Sequence, residues 1–197
     1  MKTGRRAITV ALTSAAARSK TVGMSGERNA DPDAGLVARC RRGDRAAFDA
    51  LLARHRAHVV NLAYQMLGAA DEAQDAAQEA FVKAFTRLKQ FRGEALFATW
   101  LRRIAVNECL NRLARRRPVA DVSAPLGVSP EPVEEALAVR AAMQALSPPL
   151  RAALVLRELH GASYEDIARI LRIPLGTVRS RLAAARDKLR EMLSEKE

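Results

Sequence analysis

From about residue 33 onward, apolar residues in this chain recur at three- and four-residue intervals, the period of helices packed along one face. Asp33 to Cys40 reads as a short helix closed near Gly43, and Asp44 is placed to cap the next one. There Phe48, Leu51, Leu52, His55, Val59, Leu62, Ala63 and Met66 form one amphipathic stripe, and Gly68 supplies the stop. A third helix is predicted over about 71–89, with Ala73, Ala77, Phe81, Ala84, Phe85 and Leu88 as its apolar face, before Gly93 breaks the pattern. A fourth covers about 97–116, with Phe97, Leu101, Ile104, Ala105 and Leu113 inward. Four helices that each bury a single stripe pack as a bundle.

Residues 118–132 change character. Pro118, Pro125, Gly127, Pro130 and Pro132 lie among small residues, and closely spaced prolines hold a chain extended. The pattern predicts a flexible Pro-rich linker. Helical spacing resumes over 134–146. Ser147-Pro148-Pro149 ends that helix, and Ser147 is expected to cap the next, Pro149 to Leu159. Gly161 closes it. A short helix over 163–171, the turn Arg172-Ile173-Pro174 and a long helix over 175–193 follow. Ile167, Ile170 and Leu171 are spaced to meet Val178, Leu182 and Leu189, and Ala168 is small where two helices cross. This is the pattern of a helix-turn-helix.

The composition supports an all-α chain, since only 4% of residues are aromatic and no β-branched runs occur. A net charge of +11 calls for a polyanionic partner. No apolar stretch approaches the ~18 residues of a membrane span, so no membrane insertion is expected. Residues 1–31 read as a disordered basic tail. Its likeness to a secretion signal is weak, because the short apolar run is broken by Thr9 and Thr13 and followed by Arg18 and Lys20; Met24 is an alternative start. Cys40 and Cys109 are far apart, with no C-x-x-C motif, and read as free thiols of a reduced, cytoplasmic protein. His55 and His58 lack a third ligand at a useful spacing, so no metal is expected, and His55 reads as a packed histidine. Neither a phosphate-binding loop nor a nucleophile or catalytic carboxylate motif is present, which leaves nothing to suggest an enzyme or a cofactor.

Three charged elements carry the chemistry. From Thr177 to Arg190 five basic side chains (Arg179, Arg181, Arg186, Lys188, Arg190) stand against Asp187 alone. A helix start that exposes Thr177, Arg179 and Ser180 can enter a major groove, where Arg hydrogen-bonds guanine twice. From Ala98 to Arg117 six arginines (102, 103, 112, 115, 116 and 117) stand against Glu108, just after Phe91-Arg92-Gly93-Glu94 and beside Trp100. Aromatic groups next to a basic helix can hold unstacked bases, although Phe97, and with even odds Trp100, could instead be core. The third element is acidic. Asp71, Glu72, Asp75 and Glu79 crowd nine residues, more than a helix dipole requires, and suit a basic protein surface.

Three stretches resemble the extracytoplasmic-function sigma factors, close to the sigma-E type. Asp75-Ala76-Ala77-Gln78-Glu79-Ala80-Phe81-Val82-Lys83-Ala84-Phe85 resembles the core-binding segment. Phe91-Arg92-Gly93-Glu94, Phe97, Thr99-Trp100-Leu101 and Arg103-Ile104-Ala105-Val106-Asn107 resemble the promoter-melting, −10-reading segment. Leu156-Arg157-Glu158-Leu159, Gly161, Ser163-Tyr164-Glu165-Asp166-Ile167-Ala168 and Pro174-Leu175-Gly176-Thr177-Val178-Arg179-Ser180-Arg181-Leu182 resemble the −35-reading segment.

The resemblance implies a sigma2-type four-helix bundle (32–117), a linker (118–133) threaded through the polymerase, and a sigma4-type helix-turn-helix domain (134–197). It implies that Asp71, Asp75, Gln78, Glu79, Phe81 and Lys83 meet the β′ clamp helices of core RNA polymerase, while the second domain docks on the β flap. It also implies that Phe91, Arg92, Phe97, Thr99, Trp100, Arg102, Arg103, Asn107 and Arg112 engage −10 promoter DNA, with a flipped base captured by the 91–97 loop. Thr177, Arg179, Ser180, Arg181 and Arg186 would engage the −35 element, and an anti-sigma factor is a candidate partner. Two departures stand out: Ala183 and Ala184 replace larger DNA-facing residues, and Arg172 occupies a turn position usually held by Gly, Asp or Asn, so a slightly adapted turn is expected. The alternatives are a polymerase-independent helix-turn-helix regulator, which leaves the acidic helix and the 91–117 segment unexplained, and a basic nucleoid or RNA-binding protein without sequence preference.

Overall fold

The computed structural model of the protein describes residues 31–116 and 133–194, and all regular structure among them is helical. These residues fall into two compact units, one on each side of the proline-rich stretch. The predicted linker at 118–132 and residues 1–30 of the predicted tail lie outside the described residues.

The first unit comprises α1 (Ala34–Arg41), α2 (Arg45–Leu67), α3 (Ala70–Arg87), a 3-10 turn (Leu88–Gln90) and α4 (Phe97–Arg115). Asp44 caps α2, its Oδ1 accepting from the Ala47 amide at 3.1 Å, and Gly68 ends it in the left-handed region with φ 83°. The central helix α3 packs on both α2 and α4. It does so through Ala73, Ala76, Ala77, Ala80 and Ala84, all buried. Side chains this small let three helix axes converge, and Leu51, Leu62, Met66, Phe97 and Leu101 fill the remaining core.

One carboxylate belongs to that core. Glu108 on α4 is buried and takes a hydrogen bond from Lys83 of α3, with Arg112 Nε 3.4 Å from its other oxygen. Burial pushes its carboxyl upward, but the Lys83 and Arg112 cations outweigh it and hold the pKa below the ordinary range. A group with a depressed folded pKa stabilises fully above its unfolded value and loses that contribution as pH falls through the folded one. Melting temperatures followed from neutral pH to about pH 3 are therefore expected to fall less steeply below about pH 4.5 in Glu108→Gln than in the parent.

The second unit comprises α5 (Val133–Ala145), α6 (Pro148–Leu154), a π turn (Val155–Leu159), α7 (Tyr164–Leu171) and α8 (Leu175–Ser194). Ser163 caps α7, its hydroxyl accepting from the Asp166 amide at 3.0 Å. Arg172 closes α7 at φ 53°, a left-handed conformation that costs a non-glycine residue about 1 kcal/mol, and this is the adapted turn the sequence predicts. Ile167 and Ile170 meet Val178, Leu182 and Leu189 in the core, and α8 lies against α5, α6 and α7.

Four details differ from the sequence reading. Ser147 stands at the start of α6, but its side chain does not cap it; with Pro148 and Pro149 in the first turn few amide donors remain, and the Ser147 carbonyl accepts from Leu150 and Arg151. The helix expected to run to Leu159 loosens into the π turn, where the His160 amide reaches the Val155 carbonyl five residues back. Phe85, placed on the buried face of α3, is half exposed. Asp31, assigned to the tail, is hydrogen-bonded to the amides of Asp33 and Phe97.

Candidate nucleic-acid interface and docking face

In the first unit the aromatic residues of the 91–100 segment point inward. Phe91, Phe97 and Trp100 are all buried and stack on one another at centroid distances of 5.2 to 5.9 Å. Thr99 is buried as well. Phe97, Trp100, Leu101, Ile104, Ala105 and Glu108 follow the inward period of α4, so these rings hold the loop instead of projecting from it. The side chains of Phe91, Phe97, Thr99 and Trp100, which the resemblance assigns to the −10 contact, are thus packed inside the unit. What the loop displays is Arg92, Gly93 and Glu94, all exposed, with Gly93 at φ 76°. On α4, Asn107 is exposed and Arg102 and Arg103 are half-buried along the outer side.

The last two turns of α4 are committed elsewhere. Arg112 Nη2 lies 3.2 Å from Glu79, and Arg116 Nη2 lies 2.5 Å from Glu72. Lys83, besides Glu108, lies 3.5 Å from Glu79. Three residues expected at separate interfaces, Glu79 and Lys83 on the docking face and Arg112 on the DNA face, thus share one internal ion-pair network. The unengaged-acid picture of α3 narrows to Asp71 and Asp75, which are exposed, as is Gln78.

Beside them runs a feature that sequence reasoning missed. An open groove of about 550 Å³ separates α2 from α3, lined by Phe48, Leu52, Val60, Phe81, Val82 and Phe85, with Gln74 and Gln78 at its margin. Val82 and Phe85 are 58% and 50% exposed. Phe85 meets Phe48 edge-on, with centroids 4.8 Å apart. The available signal was stripe width, since Phe81, Val82 and Phe85 extend the apolar face of α3 beyond what its packed neighbours cover.

In the second unit, the first turns of α8 expose Arg179 and Ser180, with Thr177 and Arg181 half-buried. The Ser180 hydroxyl donates to the Thr177 carbonyl at 3.1 Å. Gly176 stands in open space, so the backbone there can be approached closely. Arg186 is different. Its Nε and Nη2 lie 3.2 and 2.6 Å from Glu158 Oε1, and that hydrogen bond raises the pKa of the guanidinium. Arg186, expected at the −35 element, is thus tied to Glu158 within the unit. Glu158 lies in the π turn, where its neighbour Arg157 stacks over Tyr164 at 5.1 Å and reaches the Ala162 carbonyl.

Cys109 is buried, which pushes its thiol up to about 12 and leaves it unreactive at neutral pH; Cys40 is shifted upward too, mainly by burial. His55 Nε2 donates to the Asp33 carboxylate at 2.7 Å. Among the described residues no group of three His, Cys, Asp or Glu side chains could hold a metal ion, and no helix is long and apolar enough to cross a membrane.

Comparison with known proteins locates both units. Residues 51–119 match sigma-70 region 2, and residues 136–189 match sigma-70 region 4. The chain is 41% identical to the RNA polymerase sigma-H factor of Pseudomonas aeruginosa, over 83% of this chain and 94% of that one. It is 38% identical to the ECF RNA polymerase sigma-E factor of Escherichia coli K12, over 77% and 89%. Among solved structures it resembles the sigma factor RpoE bound to the anti-sigma factor NepR from Bartonella quintana, with 25% identity, a TM-score of 0.66, and coverage of 75% of this chain and 96% of that chain. CnrH in complex with the cytosolic domain of CnrY gives the same TM-score at 26% identity, over 84% and 99%.

Proposed function

Because the chain belongs to the sigma-70 family as an extracytoplasmic-function sigma factor, a transcription initiation factor, we propose how its two units divide the work of promoter recognition. The first unit holds core RNA polymerase along the α2–α3 groove. Phe81, Val82 and Phe85 supply the apolar contact, and Asp71, Asp75 and Gln78 its polar flank. The same unit presents Arg92, Gly93 and Glu94, with Arg102, Arg103 and Asn107 behind them, to the melted −10 strand. The second unit reads the −35 duplex through Thr177, Arg179, Ser180 and Arg181. The groove carries this reading, because a regulator that binds DNA alone has no use for an apolar cleft on the helix that bears Asp75. The chain acts without catalysis of its own, in the cytoplasm where the polymerase is. An anti-sigma factor is a further candidate partner, since the sigma factor RpoE that the chain resembles is seen in complex with one.

Run-off transcription with purified core polymerase on a promoter library tests the assignment. The wild-type protein is expected to select promoters with paired −10 and −35 elements. Asp75→Arg should abolish transcripts and core binding together. Arg179→Ala should retain core binding and lose about 1–3 kcal/mol of −35 discrimination. Unchanged core binding in Asp75→Arg, with intact DNA binding, would favour a polymerase-independent regulator.

A further inference from the structure

We propose that Asp31, backed by Asp33, is a positioning residue that fixes the Phe91–Phe97 loop in its strand-binding conformation; this rests on the reading of that loop as the −10 contact. Helix α4 starts at Phe97, directly after the loop, and Leu96 at its cap position has no side-chain acceptor for the first amides. The acceptor comes from 66 residues earlier: Asp31 Oδ2 takes the Phe97 amide at 2.7 Å. Its other oxygen takes the Asp33 amide at 3.0 Å, so a single carboxylate satisfies two donors and puts a negative charge at the positive end of α4.

Asp33 anchors this segment from the other side. It is 1% exposed, and its two oxygens meet Arg54 Nη1 at 2.5 Å and His55 Nε2 at 2.7 Å, both on α2. The His55 ring lies 5.5 Å from the Phe97 ring, so the clasp and the loop's end share one packed cluster. The loop's other end is tied to the same helix that the clasp begins, for the Arg41 guanidinium of α1 sits 6.0 Å over the Phe91 ring. Both hinges of the exposed tip Arg92–Glu94 are therefore held by α1 and the three residues ahead of it. None of these groups lines the polymerase groove or belongs to the helix-turn-helix.

A helix start that loses the acceptor of its first amide frays, and fraying of the first turn of α4 lets the loop drift. The test uses holoenzyme and a fluorescent single-stranded oligonucleotide carrying the −10 non-template sequence of a promoter selected by run-off transcription. Asp31→Ala is expected to weaken strand binding by about five-fold or more, the population change a lost cap produces. Asp31→Asn, nearly isosteric but with an acceptor for only one of the two amides, is expected to fall between, and it carries the test if the alanine variant does not fold. Core affinity and binding to a −35 duplex should stay at wild-type values. Arg92→Glu at the loop tip serves as the reference variant. If it weakens strand binding while both Asp31 variants match wild type, the positioning role is wrong. If neither Arg92→Glu nor the Asp31 variants change strand binding, the loop is not the contact and both readings fall. If core affinity drops in step with strand binding, Asp31 is only a general stabiliser and the proposal is overturned.

Discussion

Phe85→Asp is expected to weaken capture of core RNA polymerase by about a hundred-fold, close to 3 kcal/mol, while the protein stays folded. In the free protein Phe85 is 50% exposed and leans edge-on against Phe48. Its removal forfeits one aromatic pair, worth about 0.5–1.5 kcal/mol, and part of one side chain's burial. An aspartate there remains in water, so the free chain should stay folded, with a midpoint lowered by about 4–8 °C for each kcal/mol of that loss. In the complex the position is a different one. A partner helix laid into the α2–α3 groove would cover Phe85 and Val82 together, and an aspartate would then be desolvated against the apolar wall of Phe48, Leu52 and Phe81. The measurement is core affinity beside a melting curve of the free chain. Wild-type affinity in Phe85→Asp would mean that polymerase docks elsewhere and that the exposed groove serves another partner.

The second large effect is on stability. Phe97→Ala is expected to cost the first unit about 3–5 kcal/mol, since a ring 1% exposed at the junction of Phe91, Trp100 and His55 leaves a cavity that its neighbours fill only in part. For a unit this small each kcal/mol moves the midpoint by about 4–8 °C, so a loss of some 15 °C or more is predicted in thermal unfolding followed by circular dichroism. Phe97→Leu, which keeps most of the volume, should recover most of that loss. A base-stacking role would give the reverse pattern, with weakened binding of single-stranded DNA and an unchanged midpoint.

That contrast shows where local and tertiary information part. The spacing of Leu51, Val59, Leu62 and Met66, the cap at Asp44, the stop at Gly68 and the adapted turn at Arg172 depend on residues within one or two helical turns of one another. Local dependence of this kind is legible without a fold. So are the proline-rich break between the units and the motif order that identified the family. The same spacing argument placed Phe97 in the core but left Trp100 undecided between core and base stacking, because a helical stripe gives the direction of burial but not its width.

What the sequence by itself determined is therefore the set of helices, those of their ends that local caps and stops fix, the helix-turn-helix and the family. The tertiary structure alone decided which charges remain available: Arg112, Arg116 and Arg186 are drawn onto Glu79, Glu72 and Glu158, while Arg92, Arg179, Asp71 and Asp75 remain exposed. It also decided that Phe85 faces a groove and that Asp31 caps a helix 66 residues away. The physical reason is range. A helix is specified by contacts three and four residues apart, whereas an ion pair or a borrowed cap is settled by which helix packs beside which, and that exists only once the chain has folded.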